Sequence, residues 1–452
     1  MRKRFSPLPL SLYAVTSLMT VPSALTLKKV FRFWFPLSLN WQMMAIEGPI
    51  VTGVIARSAL PEQNLAAFGV AFAWALIIES PVISLLTASA ALAMDRSSYF
   101  VIRKFTWHMN LVSTVLQVIF VLPFVFNFVT NTLLNLPPEV CVKAYQASLI
   151  MIPWSAAIGY RRFYQGVTIR GGMPRRVAYG TVLRMLAMTT TAYLLFRDGT
   201  LDGASVACSA LVAGVLVEAV SARIMADPLV RRLLQTEPVS KELSYSRLFK
   251  FYMPLMLTVF IGFGIQPLTT LALGRGRSPI ESLAVLPVVN ALVVFVMTSA
   301  FAVQEITVVL IGDNFEHLKA LRSFSLLLGT MLSAILGAIV FTSLGRFWFD
   351  KIAGLPPYLV PLAFAAAQLS IATPCLRSWE AYQRALLVKA HKTRLVTAVA
   401  FVELGIVATG LFFLTQNLPA PGVLAALLSV VIGASCAVSG LLFATRKIGA
   451  AS

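Results

Sequence analysis

Apolar residues along this chain come in long blocks separated by short polar joints. A helix needs about 20 consecutive apolar residues to cross the hydrocarbon layer of a bilayer. Twelve blocks of that kind can be drawn, at 33–56, 65–93, 106–129, 140–160, 175–196, 203–224, 249–273, 281–309, 321–343, 357–383, 393–414 and 422–444. No polar stretch between them is long enough for a soluble domain. The pattern predicts an all-α polytopic membrane protein of about twelve transmembrane helices.

The blocks also repeat. FRFWFPL, Phe31 to Leu37, returns as FKFYMPL, Phe249 to Leu255, 218 positions on, and Pro49 falls on Pro267 at that offset. Leu136-Pro137-Pro138 returns as Leu355-Pro356-Pro357 at 219, Tyr164-Gln165 as Tyr382-Gln383 at 218, and Arg175 as Arg394 at 219. A near-constant offset over so many positions indicates a duplicated six-helix unit. Six is even, so both copies start on the same face of the membrane. They are parallel repeats about an axis along the membrane normal, a plan of secondary transporters. The expected organisation is an N-terminal extension (1–30), an N-lobe (31–225), a charged linker (226–247), a C-lobe (248–446) and a tail (447–452).

Composition agrees, with 58% of 452 residues apolar and 12% charged, against about 45–50% and about 25% in soluble chains. The net charge of +19 would raise the question of nucleic acid on a soluble protein. Here the loops absorb it: 28 Lys and Arg fall on the side of the termini and 7 on the other, with Arg184 and Arg377 inside spans. This bias places both termini in the cytoplasm of a multi-pass plasma-membrane (bacterial inner-membrane) protein. The partners expected are the lipid bilayer and a small-molecule substrate, with no nucleic acid; the oligomeric state is left open, with a monomer favoured. Arg2-Lys3-Arg4 and the apolar stretch after them imitate a signal peptide. Cleavage there, or an additional span, would invert every later loop, so 1–30 reads as an uncleaved cytoplasmic or interfacial extension.

The chemistry of enzymes is missing from the sequence. There is no G-x-x-x-x-G-K-[ST] loop and no room for a nucleotide-binding domain, which excludes an ATP-driven pump in one chain. Cys141, Cys208, Cys375 and Cys436 are scattered, and His108, His317 and His391 are far apart. No catalytic residue, metal site or cofactor is expected, apart from Na⁺ or H⁺ as a coupling ion.

Charges inside spans are functional candidates, because each costs about 2.5–3.5 kcal/mol at mid-bilayer on insertion scales. Glu47, Glu79, Arg184 and Glu403 lie near span centres. Glu218, Glu305, Arg377 and Glu380 lie within a few turns of the cytoplasmic face and read as mostly structural, able to snorkel. Glu47-Gly48-Pro49 and Glu79-Ser80-Pro81 share a pattern in which proline frees the carbonyl four residues back. A carboxylate beside a freed carbonyl suits Na⁺ or a proton, which makes Glu47 and Glu79 the ion-coupling candidates and Pro49, Pro81 and Pro267 the helix-kink candidates. In the second half Ile265 and Met297 replace the two acids, while Gln266 precedes Pro267. Arg184 and Glu403 are equivalent at offset 219. They either face each other across a central cleft, as a gate or a substrate contact with Gln266, or Arg184 pairs within its own lobe with Glu47 or Glu79.

Two parallel six-span halves, each opening with F-[RK]-F-[WY]-x-P-L and carrying a second proline at Pro49 or Pro267, resemble the multidrug/oligosaccharidyl-lipid/polysaccharide (MOP) exporter superfamily. Within it the chain is most similar to MATE-type exporters and the progressive-ankylosis-protein-like group. The resemblance implies two six-helix bundles around a V-shaped cleft and Na⁺- or H⁺-driven antiport. In one MATE branch an acid on the first helix couples protons, and Glu47 is the nearest match. Lipid-linked-oligosaccharide flippases of the superfamily use basic cleft residues, for which Arg184 is the candidate. The leading expectation is a secondary active exporter. The alternatives are a flippase for a lipid-linked headgroup, a major-facilitator-type transporter, and a non-transporting assembly partner. The major-facilitator loop G-x-x-x-D-R-x-G-R-R has only Met94-Asp95-Arg96-Ser97-Ser98 as a counterpart.

Overall fold

The computed structural model describes residues 25–449 except 172, 174, 237–242, 313, 314 and 391. Residues 1–24 of the expected N-terminal extension and 450–452 of the tail lie outside the described residues. Every regular element described is a helix, and the helices line up as twelve rods. They are α1 (Leu27–Ala45 and Glu47–Ala56), α2 (Pro61–Ile83 and Leu85–Leu92), α3 (Arg96–Val121 and Pro123–Asn127), α4 (Pro138–Ile150 and Trp154–Arg170), α5 (Arg175–Asp198) and α6 (Gly203–Gln235). The second six are α7 (Tyr245–Gly274), α8 (Pro279–Met297 and Ala302–Leu310), α9 (Leu318–Phe341), α10 (Val360–Leu369 and Thr373–Lys389), α11 (Thr393–Asn417) and α12 (Gly422–Gly449).

Eight rods are long and apolar enough to cross a membrane unaided. α3 joins them when its two arms, bent by 65° at Leu122, count as one span. The other three are α1, α4 and α5. α1 and α4 are broken into short segments, and the three carry Glu47, Arg161 with Arg162, and Arg184.

The duplication is written into the backbone. Left-handed residues precede the prolines that open α2 and α8, Leu60 (φ 51°) and Ser278 (φ 49°). Left-handed Asn135 (φ 52°) and Gly354 (φ 66°) follow a matching pair of π-helical turns, Phe128–Leu133 and Phe347–Ile352. α4 and α10 break at equivalent turns, 151–153 and 370–372. α1 and α7 differ: α1 breaks at Ile46, just before Glu47-Gly48-Pro49, whereas α7 runs unbroken through Pro267. Ile46-Glu47-Gly48 stands where the second half has Gly264-Ile265-Gln266, so glycine content does not explain the difference. Pro81 sits inside the first segment of α2, which breaks three residues later at Ser84.

The expected linker at 226–247 is shorter in the structure. α6 continues through Pro228 to Gln235 and α7 already begins at Tyr245. Asp95 explains the α2–α3 joint: its side chain accepts from Ser98 N at 2.7 Å and Ser98 Oγ accepts from Asp95 N at 3.0 Å, a capping box that starts α3.

The core lies where α2 packs against α7 and α8. Alanines on α2 such as Ala66, Ala67 and Ala71 are fully buried there. Small side chains bring helices close where apolar burial gives no drive in lipid. α1 and α7 each touch both halves: the first segment of α1 lies on α8 and α9, and α7 lies on α2 and α3 as well as α11.

Candidate functional site

The first half gathers its buried charges around Glu218 of α6, which is 1% exposed. Arg161 of α4 donates to Glu218 Oε2, and Gln165, one turn further, donates to Oε1 at 2.9 Å. Arg184 of α5 places Nε 3.5 Å from Glu218 and donates through Nη2 to Glu47. Glu47 opens the second segment of α1, where the positive end of the helix dipole favours a carboxylate. Its side chain is 16% exposed, the most open member of the chain Arg161–Glu218–Arg184–Glu47. Glu79 of α2 stands beside this chain, accepting from Trp154 Nε1, with Arg161 and Arg162 within electrostatic reach. Arg162 Nε has no partner among the described residues.

The second half repeats the positions and reverses the signs. Glu380 and Glu403 stand at the places of Arg161 and Arg184, 219 residues on. Arg377 binds Glu380 at 2.6 Å and Glu403 at 2.9 Å, and Arg384 also pairs with Glu380. Each half thus neutralises its own buried charges. Of the two arrangements open for Arg184, the structure has the one within its own lobe, with Glu47; Glu403 is engaged by Arg377. Gln266 offers its backbone carbonyl to Thr270 at 3.1 Å and joins neither network.

Two readings of single residues are corrected here. Arg161 and Arg384 look like loop charges of the terminal side in the sequence, yet α4 and α10 extend past them and both are drawn into ion pairs inside the bundles. Glu218 reads as a snorkelling residue but is the buried hub. The signal for it was the Arg161–Gln165 spacing of four, which puts both donors on one helix face.

Among the side chains that cross between the halves, four do so in equivalent pairs; Trp41 to Glu305, Gln42 to Ser299 and Tyr358 to Glu62 cross as well. Trp34 of α1 donates Nε1 to the Ser299 carbonyl at 2.9 Å, and Tyr252 of α7 donates its hydroxyl to the Pro81 carbonyl. Both steps are the offset 218: Trp34 to Tyr252, and Pro81 to Ser299. At the opposite ends of the same two rods, Arg57 donates to the carbonyls of Lys351 and Ile352, the latter at 2.8 Å. Arg275 donates to the carbonyls of Thr132 and Leu133, the former at 2.9 Å. These acceptors lie in the two π-helical turns, whose unpaired carbonyls suit a guanidinium. The approach at the Arg275 end is tight: a Cβ on Gly274 would stand 2.3 Å from the Leu134 carbonyl oxygen. α1 and α7 are therefore each fastened to the other half at both faces of the membrane.

The fold is that of the MATE transporters. An inward-facing multidrug-resistance MATE transporter of the MOP superfamily superposes with a TM-score of 0.64 at 13% identity, over 91% of this chain and 95% of that one. A MOP-superfamily transporter from Pyrococcus furiosus, described as having a binding pocket of reversed polarity, gives 0.64 at 14% identity over 94% and 97%. The lipid II flippase MurJ, in an inward closed conformation, gives 0.65 at 11% identity over 91% and 87%. No protein-family model and no curated protein matches the sequence. At these identities the likeness is one of fold, and it covers nearly the whole chain: an all-α multi-pass membrane protein of the MATE type.

Proposed function

We propose that the protein is a secondary active transporter that exports a small molecule from the cytoplasm by alternating access between the 31–225 and 248–446 lobes, coupled to H⁺ or Na⁺. The observation that carries this reading is the pair of latches on each face. Two halves fastened through equivalent contacts at both ends of α1 and α7 form a body that can release one face while the other holds. A non-transporting scaffold has no use for that symmetry. Glu47 is the coupling site, where a proton or Na⁺ competes with Arg184 for the carboxylate. Glu79, held by Trp154 one helix away, is the second acid. The chain's multi-pass fold and the loop charge support a plasma-membrane location with cytoplasmic termini.

The flippase reading draws on MurJ, and the two readings separate in one assay. Purified protein in proteoliposomes is given an imposed H⁺ or Na⁺ gradient and a panel of organic cations, small anions such as citrate and pyrophosphate, and a lipid-linked pyrophosphate. The expected result is flux of one soluble class that stops when the gradient is collapsed. Movement of the lipid-linked compound without a gradient would favour a flippase. Flux and ligand-induced stabilisation absent for every class would refute a transporter.

The latches give a second expectation. Each guanidinium–carbonyl bond contributes about 1.5–3 kcal/mol, so Arg57→Gln with Arg275→Gln loosens the face away from the termini, where the Tyr358–Glu62 hydrogen bond remains. Spin labels at the exposed positions Leu201 and Leu344, one in each half, should show longer and broader distances by pulsed electron resonance. Trp34→Phe with Tyr252→Phe should leave that distance unchanged. Equal effects from both pairs would show that the latches do not act on separate faces.

A further inference from the structure

A groove of about 630 Å³ runs along the outer surface of the first half, between α3, α4 and α6. Trp107 and Val220 form its rims, 55% and 60% exposed, and Tyr160 and Pro153 line its wall. The floor is made of the small side chains of Ala157 and Ala219. None of these groups contributes to the buried charge network or the latches. The groove opens outward from the bundle, between the exposed side chains of Leu111, Leu216 and Ile224.

One end of it is basic. Arg223 lines the groove, its guanidinium 5.3 Å from the centre of the Tyr164 ring. Asp227 is 2.9 Å from Arg223, but it is also 2.7 Å from Arg231, so one acid is shared by two arginines and the end stays positive. Arg103 lies one turn before the rim residue Trp107 on α3, at the same end of the groove. Tryptophan beside arginine marks the headgroup level of a bilayer. From Arg103 to Thr114, the deepest α3 residue of the groove, is eleven residues, about 16 Å along a helix, close to the thickness of one leaflet.

We propose that this groove is a binding site for an anionic glycerophospholipid of the leaflet on the side of the termini. One acyl chain lies along the alanine floor between Trp107 and Val220, and the phosphate sits between Arg103 and Arg223. Charge complementarity fixes the class: two basic side chains at the headgroup level discriminate against a zwitterionic lipid, while the apolar channel discriminates against a free anion.

The test uses the full-length protein in detergent, titrated with phosphatidylglycerol, with phosphatidylcholine of the same chains, and with chain-free glycerol phosphate. Bound lipid is counted by native mass spectrometry and the unfolding midpoint is followed in parallel. Phosphatidylglycerol should bind and raise the midpoint, and Arg103→Gln/Arg223→Gln should weaken it about thirtyfold. Val220→Trp, which fills the groove from its exposed rim without removing a charge, should weaken it as well. If the arginine variant is unstable without lipid, Val220→Trp alone decides. Equal binding of the two lipids, or phosphatidylglycerol binding unaltered by Val220→Trp, would show annular lipid only and overturn the site. Glycerol phosphate competing as well as the lipid would overturn the role of the groove.

Discussion

Glu218→Gln should lower the unfolding free energy of the protein by about 3–5 kcal/mol, the cost of leaving a buried charge without its partner. Glu218 holds Arg161 and Gln165 from α4 and approaches Arg184 from α5. Neutralising it takes from Arg161, which is 4% exposed, its hydrogen-bonded carboxylate and leaves only Glu79 within electrostatic reach. Arg184 keeps Glu47, so the loss is concentrated between α4 and α6. Denaturant or thermal unfolding in detergent measures it. Removing both partners is different from removing one: Arg161→Leu with Glu218→Leu exchanges an ion pair for packed hydrocarbon, and such exchanges are often neutral. The double variant should recover most of the loss. Asp227→Asn serves as the comparison, because its side chain is 32% exposed and a solvent-screened surface pair contributes little. A Glu218→Gln midpoint equal to that of wild type would show that Arg161 does not depend on this carboxylate.

The helices were legible in the sequence because the solvent dictates them. Lipid forces unbroken apolar runs, and a twelve-run pattern with a constant offset survives in the residues themselves. The crossing contacts were half legible. Trp34 and Tyr252 sit inside the repeated FRFWFPL and FKFYMPL motifs, which marked them as equivalent, but nothing local says that each reaches the opposite half. Arg57 and Arg275 are also 218 apart and pass for ordinary loop charges. Their role depends on the π-helical turns at 128–133 and 347–352, and the carbonyls that such a turn leaves free have no side-chain signature. The partner of Arg184 was left open between its own lobe and the cleft, because helix rotation is set by packing and not by spacing. Arg161 was hidden for another reason: the apolar run ends before it, while the helix goes on to Arg170 because Glu218 compensates the charge.

Three rods of the network, α1, α4 and α5, are not apolar enough to cross unaided, while the fourth, α6, carries the hub Glu218 and is. A span that must hold charge cannot also be uniformly apolar. It inserts because its charges are paired with those of neighbouring rods. The sign reversal between Arg161, Arg184 and Glu380, Glu403 follows the same logic: after duplication each half needs only internal neutrality, and either sign at a position satisfies it.

Glu47→Gln should abolish coupled transport while the fold survives. Glu47 is the open end of the network, 16% exposed, with Arg184 as its ion-pair partner. Losing its charge leaves Arg184 near Glu218, so the structural penalty is smaller than at the hub. The functional penalty is larger. A carboxylate at a helix break can exchange Arg184 for a proton or Na⁺, and the exchange frees Arg184 and the second segment of α1 together. Glutamine keeps the shape and offers neither a titrating group nor a negative ligand. In wild type, lowering the pH on the side that reaches Glu47 protonates it and weakens its hold on Arg184, so flux depends on pH or on Na⁺. In Glu47→Gln that dependence should vanish, gradient-driven flux should fall at least about tenfold, and the unfolding midpoint should shift much less than in Glu218→Gln. Glu79→Gln separates the two acids: a loss of the same size would place both on the coupling path, and an intact pH response would assign Glu79 to helix packing through Trp154. Gradient-dependent flux in Glu47→Gln at the wild-type rate would remove Glu47 from the mechanism and leave its bridge to Arg184 as a fastening between α1 and α5.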